Sequence, residues 1–409
     1  MTSMRHLLAG TGLAAALALM PAAVQAQDVI TLGAAVSLTG KYSTNGKNTK
    51  AGYDLAVKTI NEKGGVKVGD KTYQLEIKYY DDESTPARGA ELLERLINQD
   101  GVKFVLGPYS SGMTKAMVPV TEQHKIPMVQ ANGAARELFT KGYRYHFAVL
   151  STSDKYLSTA IDLAAENAQK LGKEAEALTV AIIVENDPFS QDVRAGILDD
   201  AKRYNMQVVM DDQFPKELND ISASLTKVKA LKPDILVISG HAKGAATAVQ
   251  QIDAMKVHAP VIALTHCDSA QVAEKFGKAA EYILCAQQWD VSLTYKDELF
   301  GDSKNYAKLF KEAYNYDPPY QAAESTAAVE VYADAFERAG TLDTEKVRDA
   351  LAATDMETFY GPIKFDETGK NTAKPMVLTQ VQKGEYVLVA PSKWAAAEAT
   401  LPAPGWAER

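Results

Sequence analysis

Apolar residues arrive in short blocks along this chain, and the blocks alternate between two periods. "DVITLGAAVSL" (28–38) is nearly continuous and of strand length. "KNTKAGYDLAVKTINEKGG" then places Gly52, Leu55, Ala56 and Ile60 at helical spacing and stops at Gly64 and Gly65. "YQLEIKYYDD" alternates like a strand. "PARGAELLERLINQDG" puts Ala90, Leu93, Leu96 and Ile97 on one helical face, with Gly101 as the stop. "VKFVLGP" predicts a strand, 110–125 a helix, and "IPMVQANG" a strand ending in a turn.

The pattern restarts after residue 150. Helices are predicted over 153–171, 189–204, 220–231 and 243–256. Between and after them run the strands "LTVAIIVEN", "MQVVMDDQF", "PDILVISGH" and "APVIALTH". Strands alternating with helices imply parallel sheets covered on both faces. The fold class is therefore α/β, with two doubly wound, Rossmann-like lobes. Further on come "AEYILCAQQWD", a helical region over 303–314, a long helix "QAAESTAAVEVYADAFERAG" and another helix at 344–353. "GPIKFDETGK", "PMVLTQVQKGEYVLV" and a tail with Pro402 and Pro404 close the chain, and the tail is predicted to pack loosely.

Composition narrows the partners. The 409 residues carry a formal net charge of -8 and no basic stripe. Nucleic acid and anionic membrane surfaces both require concentrated positive charge, so neither fits as the main partner. The start, "MTSMRHLLAGTGLAAALALMPAAVQA", has a basic segment, a short apolar run and small residues at Val24 and Ala26. It predicts a secretory signal peptide over 1–26, cut after Ala26. No other run reaches the ~20 apolar residues a spanning helix needs. The mature chain is expected free in a bacterial periplasm. Cys267 and Cys285 lie at or beside strand-like runs, and in an oxidising compartment both bridged and free forms stay open. Neither has a second ligand at zinc spacing, and no metal or cofactor is expected.

Ligands of open α/β sheets bind beyond the carboxyl ends of the strands. Here those ends read "SLTGKYSTNG", "GPYSSG", "QANGAA", "ENDPFS", "SGHAKG" and "LTHCDS". A serine nucleophile elbow needs G-x-S-x-G, and "GPYSSG" fails that spacing; no base is tied to Ser110 or Ser111. "GKYSTNGKN" is one residue too long for a phosphate loop, and no dinucleotide fingerprint follows the first strand. "DDE" (81–83) fits a solvated turn. Binding fits better. Ser110 and Ser111 open a helix whose first turn has free N–H groups and a partial positive charge, a natural seat for a carboxylate. Asn132 and Gly133 end the next strand and allow close backbone approach. His241 and His266 stand at neighbouring strand ends, each open to a structural or a ligand role. Phe189 is either a wall for an apolar group or helix-start packing. Tyr42 and Trp289 are weaker candidates.

"ITLGAAVSLTGKYSTNGKNTKAGYDLAVKTINEKGGV", "YYDDESTPARGAELLERLINQDGVKFVLGPYSSG", "IPMVQANGA" and the late "FYGPIKFDETG" occur in an order that resembles a known family. The chain is similar to the type I periplasmic solute-binding proteins of ABC importers, in particular the branched-chain amino acid (Leu/Ile/Val-binding) branch. The resemblance covers nearly the whole mature chain. It implies two lobes joined by three crossings near 147–151, 285–290 and 358–363, closing like a hinge around a ligand. One lobe would take 28–148 with 290–359, the other 149–289 with 360–409. It implies no enzymatic activity, and a membrane permease and an ATPase on other chains as partners; the chain itself is expected to be a monomer.

By position, Ser110 and Ser111 should hold a ligand carboxylate, with Ser111 the better match, and Asn132 and Ala134 should add backbone contacts. Asn45, Phe189 and His241 fall on pocket positions. Thr265 or His266 falls where the family carries the acid that pairs with an α-ammonium, and neither is acidic. Asp268 stands close enough to substitute if that loop is shifted. The implied ligand is a small carboxylate. An amino acid comes first and an aromatic or other non-amino acid second, with a secreted serine hydrolase as a distant rival.

Overall fold

The computed structural model describes Met1, residues 28–214 and residues 217–408; the predicted leader, apart from Met1, lies outside the described residues. The first half gives β1 (Asp28–Val36), α1 (Ser43–Glu62), β2 (Val66–Val68), β3 (Lys71–Asp81), α2 (Pro86–Asn98), β4 (Val105–Leu106), α3 (Ser111–His124), β5 (Met128–Gln130) and β6 (His146–Ala148). These strands form one six-stranded sheet in the order β2-β3-β1-β4-β5-β6, parallel except for the short edge strand β2.

After α4 (Ser158–Glu166) come β7 (Thr179–Glu185), α5 (Pro188–Arg203), β8 (Gln207–Phe214), α6 (Ser222–Leu231), β9 (Ile235–Ser239), α7 (Ala242–Met255), β10 (Val261–Thr265), the short helices α8 (Cys267–Ala270) and α9 (Val272–Phe276), and β11 (Leu284–Gln287). The chain then makes a small hairpin, β12 (Lys296–Asp297) and β13 (Gly301–Asp302). Helices α10 (Ser303–Tyr314), α11 (Tyr320–Ala339) and α12 (Thr344–Ala352) follow. A second hairpin, β14 (Asp355–Thr358) and β15 (Gly361–Lys364), leads to β16 (Val377–Gln382) and β17 (Glu385–Ala390). The second large sheet runs β17-β16-β11-β10-β9-β7-β8, with the β16–β17 hairpin antiparallel at its edge. Two lobes of α/β design result, as the alternating pattern predicts.

The apolar runs end up where their composition sends them. β9 and β10 are buried at every position, as expected of strands covered on both faces. α11 is more enclosed than a surface helix, with every residue from Tyr320 to Tyr332 buried. Small residues allow this. A Cβ at Gly52 of α1 would sit 2.2 Å from the Ala322 carbonyl oxygen, so glycine there lets the two helices touch. Tyr332 then pins α11 to the first sheet, its hydroxyl lying within hydrogen-bond reach of the carbonyls of Pro127 (2.6 Å) and Val105 (2.9 Å).

Two expectations change and one open choice is answered. The helix predicted over 153–171 is broken: a short turn at Ser153–Lys155, α4, and another turn at Ala168–Leu171. The tail is not loose. The Ala403 N–H donates to the Pro260 carbonyl (2.8 Å) and the Trp406 indole to the Val257 carbonyl (2.8 Å), with Trp406 packed on the second lobe's core. Cys267 and Cys285 are bonded as a disulfide, their Cα atoms 5.7 Å apart, because β10 and β11 are neighbours. Among the described residues no helix is long and apolar enough to cross a membrane.

Candidate functional site

Each large sheet has a point where its strand order reverses, and loops part there to leave a crevice. In the first sheet it lies between β1 and β4; in the second, between β7 and β9. The loops at these two points face each other and enclose a narrow cavity. Its wall is formed by Tyr109, Ser110, Asn132, Tyr156, Phe189, His241, His266, Tyr320, Gln321 and Glu324.

Of the candidates read from sequence, Ser110, Asn132, Phe189, His241 and His266 meet at this cavity. Ser110 caps α3, its hydroxyl accepting the Met113 N–H (3.3 Å) and its carbonyl the Thr114 N–H (3.0 Å). The N–H groups of Ser111 and Gly112 stay outside the helix's own ladder. Ser110 holds φ +80° and ψ 148°, a region other than glycine rarely enters. Asn132 donates to the Ser325 hydroxyl (3.0 Å), while its Oδ1 has no partner among the described residues.

The other candidates are displaced from the wall, each for a visible reason. Ser111 is fully buried, and its hydroxyl accepts the N–H groups of Ala134 and Ala135 (3.0 Å each). It ties down the neighbouring turn, and the Ala134 N–H is thereby used. Gly133 packs against α3, where a Cβ would come within 2.5 Å of the Thr114 hydroxyl. The Thr265 hydroxyl donates to the Gly240 carbonyl (2.8 Å) and accepts the Gly240 N–H (3.2 Å). Asn45 is buried and does not line the cavity, and its Nδ2 has no partner among the described residues. Tyr42 stands at the rim, its ring 4.7 Å from that of His241. Trp289 packs on Tyr306 and Phe359 and donates to the Ser303 hydroxyl (3.2 Å). Asp268 caps α11, taking the N–H groups of Tyr320 (2.9 Å) and Ser269 (2.7 Å). Burial pushes its carboxyl up to about 6 against those two bonds.

A chain of polar contacts crosses the cleft. Asp187, the cap of α5, holds the Ser190 N–H (2.8 Å) and His241 Nε2 (2.6 Å). His241 Nδ1 meets the Tyr109 hydroxyl (2.8 Å), which also reaches His266 Nε2 (2.9 Å). Burial alone would lower the His241 pKa, but the charge and hydrogen bond of Asp187, with Glu185 behind, outweigh it and raise it. His266 is pushed down to about 3, by burial first and by His241 second, and is neutral. Tyr109 has one proton, so it donates to one of the two rings and accepts from the other. Glu185, Asp187 and His241 bring three potential ligand atoms within 4.8 Å, but the His241–Asp187 bond already occupies two of them. Nearby, Arg136 Nε bonds Asp192 (2.6 Å), joining the two lobes a second time.

Sequence reasoning missed half of the wall. Tyr109 sat inside "GPYSSG", where the hydroxyls of the serines drew the reading. Tyr156 falls inside the helix predicted over 153–171 and carries no signal of its own. Tyr320, Gln321 and Glu324 come from the first turn of α11, remote in sequence from every strand end. Their one signal is a glutamine and a glutamate three apart inside an alanine-rich helix. The Tyr320 hydroxyl and both polar atoms of Gln321 have no partner among the described residues. Glu324 is 1% exposed, with its Oε2 3.4 Å from the Tyr360 hydroxyl. Burial pushes its carboxyl well above the ordinary range, and Lys374 pulls the other way.

Two lobes, a crevice between their strand ends and buried polar atoms lining it are the anatomy of a protein that encloses a solute. The sequence agrees, matching the periplasmic binding protein family over residues 29–385. The chain belongs to this family. It is a family of solute-binding proteins rather than of enzymes. A relative, the leucine-, isoleucine-, valine-, threonine- and alanine-binding protein of Pseudomonas aeruginosa, is 25% identical over 347 residues, covering 84% of this chain and 87% of that protein. Among solved structures, the branched-chain amino acid transporter substrate-binding protein LivJ of Streptococcus pneumoniae, in complex with isoleucine, shares the fold. Its TM-score is 0.77 at 22% identity, covering 89% of this chain and 100% of that one. An ABC transporter solute-binding protein of R. palustris in complex with 4-hydroxybenzoate also does, with a TM-score of 0.76 at 21% identity over 93% of this chain and 99% of that one.

Proposed function

We propose that this periplasmic binding protein captures a small amino carboxylate in its inter-lobe cavity and delivers it to an ABC importer's permease, with an ATPase on another chain. The observation that carries the reading is Glu324. A carboxyl 1% exposed in the cavity wall must either take up a proton or be met by a cation, and an α-ammonium is such a cation. The free N–H groups at the start of α3 suit the ligand's carboxylate. The rings of Tyr156, Phe189 and Tyr320 suit a modest apolar side chain. The amino acids named for the Pseudomonas relative and bound in the LivJ complex agree with this.

A second reading, an aromatic acid with no amino group, draws on the same rings and on the neighbour that holds 4-hydroxybenzoate. Calorimetry with leucine, phenylalanine and benzoate separates the two. The amino acid reading expects binding by leucine or phenylalanine, and a Glu324→Gln loss of about 1.5–3 kcal/mol for one charged hydrogen bond. Binding of benzoate alone, unaffected by Glu324→Gln, would establish the second reading instead.

A further inference from the structure

Behind Glu324, on the side away from the cavity, lies a second buried charge. Lys374 is 6% exposed. Its ammonium donates to the carbonyls of Gln288 and Pro375 (3.0 Å for the latter) and sits 4.5 Å above the Tyr360 ring. The Tyr360 hydroxyl in turn reaches Gln288 Oε1 (3.1 Å) and Glu324 Oε2 (3.4 Å). Ser151 completes the cluster. Its N–H donates to Gln288 Oε1 (3.1 Å), its carbonyl takes the Gln288 amide (2.9 Å), and its hydroxyl bonds the Lys374 carbonyl (2.6 Å). Ser151 lies between β6 of the first sheet and β7 of the second, and residues 288, 360 and 374 lie on the stretch of chain between β11 and β16 of the second. The lysine is thus fixed by backbone carbonyls and a ring, and is not a mobile surface side chain.

We propose that Lys374 is a positioning residue for the ligand's amino group, acting through Glu324, and thereby sets the preference for amino acids over their desamino counterparts. An isolated carboxyl buried among rings takes up a proton, and a neutral carboxyl attracts an ammonium poorly. A lysine on its far side opposes that uptake: its charge pulls the Glu324 carboxyl down, while burial lowers the lysine itself to about 7 and keeps the carboxyl above its ordinary range, so the two groups share their charge until a ligand ammonium arrives. Lys374 is the cation whose field acts on Glu324, while the nearby Asp268 acts in the opposite sense. Tyr360 stands between lysine and glutamate, so the cavity side of Glu324 stays open to the ligand. Carbonyls and a ring face are what a buried ammonium requires in place of water.

This inference rests on the amino carboxylate reading above. Calorimetry of the full-length mature protein with leucine and isocaproate, and with phenylalanine and hydrocinnamate, tests both. The wild type should prefer the amino acid of the pair it binds. Lys374→Met should weaken amino acid binding at least tenfold and leave the desamino acid unchanged or tighter. Lys374→Arg should restore the preference. In a Glu324→Gln background Lys374→Met should add no further loss, because the group it acts through is gone.

An equal loss for both ligands, or a full additional loss in the Glu324→Gln background, makes Lys374 merely structural and overturns the proposal. Should Lys374→Met fold poorly, Tyr360→Phe should shift the ratio toward the desamino acid while Lys374→Arg keeps the wild-type preference; an unmoved ratio in Tyr360→Phe together with a lost preference in Lys374→Arg also overturns the proposal. If the wild type binds neither amino acid, the ligand reading itself falls, which is distinct from the case where Glu324→Gln behaves as expected and Lys374→Met does not.

Discussion

The two walls of the cleft are built on the same topology from opposite materials. On the first lobe, the loops after β4 and β5 present Tyr109, Ser110 and Asn132, backed by Ser111 and Gly133; apart from Tyr109 these are small residues whose polar atoms are largely taken up by the turns themselves. On the second, the loops after β7, β9 and β10 present Asp187, Phe189, His241 and His266, which are rings and a charge. The first wall is stitched by hydrogen bonds from Ser111. The second is fixed by an ion pair and by the Cys267–Cys285 disulfide beginning one residue after His266. The first wall thus offers a shape and free backbone N–H groups, suited to a feature many ligands share. The second offers bulk and polarity, suited to choosing among them.

The largest effect that would break this contrast is expected at Asp187. Asp187→Asn leaves His241 without its partner, and breaking a buried pair costs about 3–5 kcal/mol. The pH dependence follows from the two shifts. The folded His241 pKa is raised above its ordinary 6.5, so its contribution is full below that value and is lost as pH rises through the folded pKa. His241 and Ser190 hold Asp187 below its ordinary 3.8 despite the burial that pushes it up. Its contribution is present above that value and lost as pH falls through the folded pKa. Denaturant melts of wild type and variant should differ most between 3.8 and 6.5 and converge on both sides. A difference that is flat with pH would show that the second wall is not held by charge.

Next in size is the disulfide. Cross-linking across a separation of 18 residues should contribute about 3 kcal/mol by restricting the unfolded chain. Cys267→Ser with Cys285→Ser should lower the denaturant midpoint accordingly. If the disulfide pins the His266 turn, ligand binding should weaken as well; a stability loss with unchanged affinity would separate the staple from the wall.

These features also mark how far the sequence could be read. The two lobes were legible because β1, β7, β9 and β10 are apolar runs bounded by helical stretches, and period alone tells the two apart. The strand ends were legible as a location, and Phe189, His241 and His266 followed from it. What period cannot show is which polar atom meets which. Ser111 looked like a ligand group because its need for the Ala134 and Ala135 N–H groups depends on a loop more than twenty residues away. Glu324 was invisible for the reverse reason. It sits in the first turn of α11, and only the packing of α11 on α1 brings that turn to the cleft.

The Ser111 assignment yields a third, smaller effect. Ser111→Ala removes the acceptor of two buried N–H groups, and about 1–3 kcal/mol of stability should go with it. Calorimetry should show weaker ligand binding only in proportion to the loosened turn, with the same factor for amino acids and desamino acids. A loss confined to carboxylate ligands, with stability unchanged, would return Ser111 to the role of direct contact and make the first wall more selective than the comparison allows.

The smallest effect is expected at Ser110, and its sign carries the information. A serine at φ +80° and ψ 148° stores about 1–3 kcal/mol of backbone strain, which glycine does not share. Its hydroxyl caps α3, and replacing a serine cap by glycine costs only a few tenths of a kcal/mol. Ser110→Gly should therefore leave the ligand-free protein as stable or more stable, by up to about 1 kcal/mol once glycine's greater unfolded-state freedom is counted. Were the side chain there only to cap the helix, the strain would have no compensating benefit. It is the hydroxyl, carried on the cavity wall at the start of α3, that glycine cannot supply. A Ser110→Gly protein that melts higher and binds its carboxylate ligand more weakly would show that the strain is held for the ligand. One that melts lower would show that the loop, not the ligand, requires the serine.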